Sequence, residues 1–350
     1  MSAEKYLKDI IKQNGGKINI SRFMSECLCN PKFGYYTNNN PFGDKGDFVT
    51  APEISQIFGE LIGVWCAYIW QQRNKANNNL MLVELGAGKG TLMLDLLRAT
   101  ANVSGFHKNI EIHIVEISPV LIDIQKQTLK DYPNIKWHNS IDKLPNKPLL
   151  LVANEFFDAL PINQYVKENG CWYEKFVSIN NNDNLCFLLE KNFISKKLDK
   201  THCDIKDGSV YELSIAGDAI MKNICDKIKN NGGGALVIDY GYTVKNHENT
   251  LQAVKNHKYH DILENVAQAD LTSHVDFEQL SEIVHDSKIM NSSILSQGEF
   301  LKMMGIEERA NQLVGNAKSE SQANEIISAK NRLIDIDKMG DLFKVLSLVN

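Results

Sequence analysis

Three glycines and a glutamate crowd the ten residues VELGAGKGTL, 83 to 92: Glu84, Gly86, Gly88 and Gly90. Glycine at alternate positions permits a tight turn and lets a ligand approach the backbone closely. Three chemistries compete for such a turn. A triphosphate loop requires G-x-x-x-x-G-K-[ST]; counting back five positions from Gly88 reaches Val83, and Lys89 is followed by Gly90, so Thr91 does not rescue the pattern. A dinucleotide turn requires G-x-G-x-x-G and an acid about twenty positions later. Here Thr91 takes the third glycine's place, and the next acid at a strand end, Glu116, stands thirty residues beyond Gly86. The third reading is E-x-G-x-G-x-G at the end of one strand with an acid at the end of the next. Glu116 then accepts the two hydroxyls of a ribose, Glu84 faces an amino group, and no phosphate needs cradling. On that reading Lys89 opens the following helix and faces solvent. The bland alternative is a glycine turn that merely packs helix on strand.

The elements that must carry this turn are legible from Leu80 onward. Short apolar runs, LMLVEL, IEIHIVE, IKWH and PLLLVAN, alternate with amphipathic stretches at 90–100 and 118–130. Apolar runs without strict alternation suit strands buried on both faces, and strands alternating with helices imply a parallel, doubly wound α/β sheet. After NEFFDALP the pattern breaks into runs of β-formers bounded by ENG and NNND, which read as hairpins. A helix near 216–230, the run GGALVIDYG, several further helices and a last strand LFKVLSLV resume the winding. Ahead of the sheet, residues 3–30 read as two short helices separated at NGGK, followed by a long loop with Phe33, Tyr35, Tyr36, Phe42 and Phe48 and a helix from Pro52 to Arg73. These changes of rhythm divide the chain at 1–78 (helices and lid-like loop), 79–160 (nucleoside-binding half-sheet), 161–215 (hairpin insertion) and 216–350 (remaining sheet). The hairpins and C-terminal helices are expected to form a cap.

Further polar positions fall in order along this framework. Glu116 ends the second strand, WHNSID follows the third, and NEFFDALP follows the fourth. The ordered set resembles class I S-adenosylmethionine methyltransferases. Over nearly its whole length, through GYYTNNNPFGDKGDFVTAPEISQIFGELIG, VELGAGKGTLMLDLL, VEISPVL, ANEFFDALP, LVIDYGY, ADLTSHVDF, LSQGEFL and MGDLFKVL, the chain resembles the MidA family. That resemblance implies a seven-stranded methyltransferase sheet and S-adenosyl-L-methionine as methyl donor. It places the cofactor among Glu84, Gly86, Ala87, Gly88, Gly90, Glu116, Ile117, Asn139, Ser140, Ile141 and Asn154, with Thr50 and Pro52 in a lid. Family members include a mitochondrial enzyme that methylates an arginine of a respiratory complex I core subunit, so a protein arginine is the acceptor it implies. One departure from the family stands in YELSIAGD, where Ile215 replaces a common proline.

Methylating an arginine means aligning a guanidinium nitrogen with the methyl carbon and sulfur, although the guanidinium stays protonated and delocalised. Carboxylates can hold the fork and draw charge away from the attacking nitrogen. Glu155, in ANEFFD, and Glu212, in ELS, resemble the paired-glutamate loop of symmetric arginine methyltransferases and are the candidate clamp, with Asp158 as competing second member. A helix-start acid and a solvated acid are their structural alternatives. His274, in LTSHVDF, suits proton acceptance, or is a satisfied buried histidine. DFVTAPEIS, from Asp47 to Ser55, reads as a lid with Thr50 and Glu53 near the cofactor, or as a helix cap. Phe156 and Phe157 are candidates to wall the pocket.

Composition narrows the classes. The 43 acidic against 38 basic residues are interspersed, giving a net charge of −5 and no basic stripe for nucleic acid. The seven cysteines form no paired C-x-x-C set, and Cys27 with Cys29 is a lone C-x-C, so no metal site is expected. No window approaches the ~20 apolar residues of a spanning helix, and the N-terminus is unlike an Arg-rich leader, which gives a cytoplasmic expectation. Small-molecule methylation and a weakly catalytic assembly chaperone remain competing functions, and a homodimer remains open.

Overall fold

The computed structural model describes residues 2–38, 49–73, 80–255 and 258–350; Phe42, Asp47 and Phe48 lie outside them. The chain divides into two compact units, one of Phe42–Phe157, Ile220–Val244 and Val275–Asn350, the other of Met1–Pro41, Asp158–Ala219 and Lys245–His274.

The first unit is built on a path of seven strands, β1 Leu80–Leu85, β2 Ile110–Val115, β3 Lys136–His138, β4 Leu149–Asn154, β5 Gly233–Tyr242, β6 Asn291–Ser296 and β7 Phe343–Val349, with the two-residue strand Val275–Asp276 paired parallel to β5 off that path. Their order is β6-β7-β5-β4-β1-β2-β3. The strands β1 to β5 run parallel, β7 lies antiparallel to β5, and β6 antiparallel to β7. Every residue of β1 and β4 is buried, as continuous apolar runs in a covered parallel sheet require. The winding reverses between β1 and β4, and an open α/β sheet binds ligands beyond the carboxyl ends of the strands at such a switch point.

Among the helices that cover it are α1 Gln56–Arg73, α2 Thr91–Thr100 and α3 Pro119–Thr128. Helix α1 lies close on α2 because Gly63 has no side chain; a Cβ there would come within 2.9 Å of the Leu96 carbonyl oxygen. Buried Glu60 of α1 accepts from Arg98 of α2 and, through both oxygens, from Arg309, at 2.7–3.2 Å. The continuous helix expected from Pro52 to Arg73 is divided. Ser55 is extended (φ −157°, ψ 133°) between Ala51–Ile54 and α1, and its hydroxyl accepts the Ile57 N–H, the local side-chain bond with which serine starts a helix. Strand β6 escapes the sequence pattern because NSSILS is a largely exposed edge with little apolar signal.

In the second unit the N-terminal helices Ala3–Gln13 and Ile20–Cys29 flank a three-residue strand, Lys17–Asn19, that pairs with Cys171–Ile179. The expected hairpins are present as Asn163–Glu168, Cys171–Ile179 and Leu185–Glu190. Asn169 and Gly170 take successive positive φ values of 50° and 73°, which match the twist of a tight hairpin turn. Ile11, Phe23 and Met24 share a core with Ile162, Val177 and Leu271. The N-terminal helices therefore bury their apolar faces with the hairpins. Phe300, Leu301, Ile306 and Leu333 of the C-terminal helices instead join the core of the large sheet, which corrects the expectation that hairpins and C-terminal helices share a cap.

Candidate active site

Beyond the ends of β1 and β4, the glycine turn has the geometry its spacing demands. Gly86, Gly88 and Gly90 have φ of 64°, 51° and 84°, a region that L side chains avoid. The Gly86 N–H donates to the Val115 carbonyl at 2.9 Å, and a Cβ on Gly86 would stand 2.9 Å from Phe156 Cδ2. Gly90 ends the turn as the left-handed cap of α2.

Glu84, at the end of β1, is 3 % exposed, and burial followed by the nearby Glu116 carboxylate pushes its pKa up to about 8, against one stabilising bond from the Met93 N–H. Its Oε2 has no hydrogen-bond partner, and neither has the buried Oδ1 of Asn154 at the end of β4. Both residues line one small cavity together with Thr50, Pro52, Ala87 and Glu155. Two unmatched buried acceptors are costly unless a donor arrives, and two such acceptors beside a carboxylate fit an ammonium group.

At the end of β2, Glu116 is held rigidly. Its Oε1 accepts the Ile117 and Ser118 N–H groups at 2.8 and 2.9 Å, and its Oε2 accepts Gln125 Nε2 at 3.1 Å; burial raises its pKa. Ile117 beside it is 49 % exposed, an apolar surface at the crevice. Beyond β3, Ser140 caps a single turn over Ile141–Lys143 by accepting the Asp142 N–H, Ile141 is buried, and Asn139 is exposed. Gln125, unremarked in the sequence, is fully buried in α3. Its Nε2 also donates to the Gly88 carbonyl at 2.9 Å, and its Oε1 accepts Trp137 Nε1 at 2.9 Å. One amide thus ties the glycine turn to the ends of β2 and β3.

The sequence matches, over residues 61–295, a family described as S-adenosyl-L-methionine-dependent methyltransferases. The chain belongs to that family. Its curated relatives include "Protein arginine methyltransferase NDUFAF7, mitochondrial" of Danio rerio, 36 % identical over 96 % of this chain and 84 % of the relative, and the human protein of that name, 33 % identical over 95 % and 80 %. A crystal structure of a "likely methyl transferase from Burkholderia thailandensis bound to S-adenosyl-homocysteine" superposes with a TM-score of 0.86 at 27 % identity, covering 99 % of this chain and 92 % of that one. The strand order and antiparallel β7 are those of the class I methyltransferase sheet, and S-adenosylmethionine is the cofactor.

The residues of this methyltransferase fit that cofactor. We infer that, with this cofactor bound, Glu84 and Asn154 would offer their unmatched oxygens to its amino group, Glu116 an ordered carboxylate to the ribose, and Ile117 and Ile141 apolar surface to the adenine. Lys89 departs from expectation: it lines the cavity instead of facing solvent, because Glu53 draws its Nζ to 3.0 Å. Thr50 precedes the turn Ala51–Ile54 without a side-chain cap, and Pro52 sits in its first turn.

Glu155 follows β4 with φ of 48°, a strained conformation for a residue with a side chain. Its N–H still bonds the Ile238 carbonyl at 2.9 Å, and its Oε1 accepts the Ala51 N–H and Asn154 Nδ2, both at 3.1 Å. The turn is pinned by buried Asp239 of β5, which accepts the Phe157 N–H at 3.0 Å, and Phe156 meets Phe157 edge to face. Asp239 gave no chemical signal in sequence beyond its place in LVIDYGY.

The other three catalytic candidates belong to the second unit. Glu212 is neither solvated nor open: its two oxygens accept Gln164 Nε2, the Thr250 N–H and hydroxyl, and the Leu251 N–H. Four donors satisfy it within the protein, the arrangement of an acid with a structural task. Asp158 is buried, its carbonyl accepts the Ser273 N–H, and its charge helps hold the Tyr36 phenol far above its usual pKa, after burial and the Asp270 carboxylate. His274 donates its backbone N–H to the Thr250 hydroxyl, and burial lowers its pKa against the opposing charge of Glu248. Among the described residues no helix is long and apolar enough to cross a membrane.

Proposed function

We propose that the chain is a protein arginine N-methyltransferase in which Glu155 holds the acceptor guanidinium. The observation that carries this reading is a glutamate in a strained backbone conformation at the end of β4, lining the cofactor cavity beside Asn154. Backbone strain of that kind persists where the surroundings over-determine it, and it concentrates at functional sites. The names of the relatives, protein arginine methyltransferases, support the same acceptor.

Bound S-adenosylmethionine supplies an electrophilic methyl group on a sulfonium. Glu155 accepts N–H bonds from the guanidinium, fixes its plane, and localises positive charge away from the attacking nitrogen. That nitrogen forms the new C–N bond as the C–S bond breaks, and one of its protons leaves to solvent. The carboxylate acts again on the cationic product, whose charge it continues to match. Among the four catalytic candidates Glu155 is the one that lines the cofactor cavity; Asp158 remains the candidate second carboxylate, and His274 a positioning group. The acceptor carried by the family resemblance is a respiratory complex I core subunit.

The test is Glu155→Gln, which keeps shape and loses charge. Radiolabelled methyl transfer to captured partner protein should fall at least about a hundredfold, with S-adenosylhomocysteine affinity held within about threefold. Mass spectrometry of the modified residue reports whether it is arginine and whether the product is symmetric. Methylation that survives the substitution, or a modified residue other than arginine, sinks the proposal.

A further inference from the structure

The cavity at the glycine turn carries a second pair of groups besides the unmatched oxygens of Glu84 and Asn154. Lys89 Nζ donates to Glu53 Oε2 at 3.0 Å, and Thr91 Oγ1 donates to Glu53 Oε1 at 2.5 Å. Two donors from the turn therefore grip the two oxygens of one carboxylate. That carboxylate comes from a single helical turn, Ala51–Ile54, far away in sequence. Glu53, Lys89 and Thr91 all line the cavity that Glu84 and Asn154 line.

The wall of this cavity thus has two acceptors lacking a donor and two donors already holding an anion. An α-amino acid head group presents the complementary pair, an ammonium and a carboxylate on one carbon. A plain cation would satisfy Glu84 and Asn154 and leave Glu53 where it is. The zwitterion satisfies both sides only if its carboxylate takes the place of Glu53. We propose that Glu53 is a built-in stand-in for the carboxylate of the cofactor's amino-acid end, and that Lys89 and Thr91 receive that carboxylate when Glu53 gives way.

Displacement is inexpensive. The side chains of Lys89 and Glu53 are 25 % and 19 % exposed, and a pair so close to solvent biases the equilibrium by about fivefold or less. Glu53 recovers water when it leaves, whereas Lys89 and Thr91 exchange one carboxylate for another. The device also links the lid to the acceptor site, since the Ala51 N–H of the same turn is bound to Glu155 Oε1. It accounts for Lys89 in a turn where no phosphate is held.

This inference rests on S-adenosylmethionine being the cofactor, and the experiment separates the two. Calorimetry on the full chain would compare S-adenosylhomocysteine with S-adenosyl-3-thiopropylamine, which keeps the ammonium and lacks the carboxylate. Glu53→Gln should tighten S-adenosylhomocysteine about three- to fivefold and leave the propylamine within about twofold. Lys89→Met should weaken S-adenosylhomocysteine about tenfold, leave the propylamine within about twofold, and be largely rescued in Lys89→Arg. Equal weakening of both ligands by Lys89→Met, or no gain from Glu53→Gln, overturns the proposal. A gain in affinity cannot come from misfolding, which keeps the Glu53 arm decisive. No binding of either ligand to the parent protein would overturn the cofactor reading itself.

Discussion

Two buried glutamates, one in each unit, make opposite use of the same burial. Glu84 is 3 % exposed and Glu212 9 %, and burial is the largest influence raising the pKa of each. Glu212 is compensated by Gln164, Thr250 and Leu251, which supply four donors. Glu84 has a bond from the Met93 N–H at one end and a bare oxygen at the other. A protein that leaves a carboxylate so exposed to its own desolvation cost keeps it for something that arrives later. Sequence position concealed the contrast, since both acids follow apolar residues near strand ends.

Exchanging the charge at each site should break the symmetry most strongly. Glu84→Gln is expected to lower S-adenosylhomocysteine affinity about a hundredfold, the value of about 3 kcal/mol for a buried charge-assisted bond. The same variant should melt no lower than the parent in the absence of ligand. Glu212→Ala should do the reverse, lowering the unfolding free energy by about 2–4 kcal/mol, because it strands four donors. The folded remainder should bind cofactor with unchanged affinity. Calorimetry and denaturant unfolding of the two variants check this, and loss of ligand binding in Glu212→Ala at temperatures where it is folded would remove the distinction.

The same contrast shows where sequence is informative. The glycine turn was legible because its constraint is local: three positive φ values within five residues leave glycine as the economical choice. The strands of the large sheet were legible because both faces of β1 and β4 are buried, which leaves an uninterrupted apolar run. The satisfaction of Glu212 was not legible, because its donors lie 38–39 and 48 residues away. The place of Lys89 is hidden for the same reason: a lysine entering a helix reads as solvated until Glu53, 36 residues earlier, comes beside it. Hydrophobic rhythm reports which faces are covered. It carries no information on which polar atoms meet across the fold.

Acidity sharpens the comparison further. With a pKa of about 8, Glu84 is mostly protonated at pH 7 in the ligand-free protein, and an ammonium group favours its ionised form. Binding at pH 7 therefore releases close to one proton. Affinity for S-adenosylhomocysteine should rise as pH increases toward 8, by up to about tenfold per unit, and level off above it. For stability the sign is opposite. A carboxyl whose folded pKa lies above its unfolded value costs the native state stability as pH climbs from about 4.5 to about 8, so the advantage of Glu84→Gln in the ligand-free protein should grow over that window and then stay constant. Calorimetry in buffers of differing ionisation enthalpy measures the proton, and a pH-independent affinity between 6 and 8 would mean that Glu84 is already ionised.

The smallest expected effect belongs to Gln125, which touches neither glutamate pair directly enough to replace it but sets where Glu116 stands. Its amide bonds Gly88, Glu116 and Trp137 at 2.9–3.1 Å from full burial. Gln125→Leu preserves volume and removes all three bonds, so it should loosen the ribose carboxylate without opening a large cavity. S-adenosylhomocysteine affinity should fall about fivefold, and the preference for it over its 2′-deoxy analogue should shrink, because an unfixed Glu116 no longer rewards the ribose hydroxyl. Simple destabilisation would weaken both ligands in proportion and leave their ratio alone. A ratio that does not move would assign Gln125 to packing, and Glu116 would then owe its orientation to the Ile117 and Ser118 N–H groups alone.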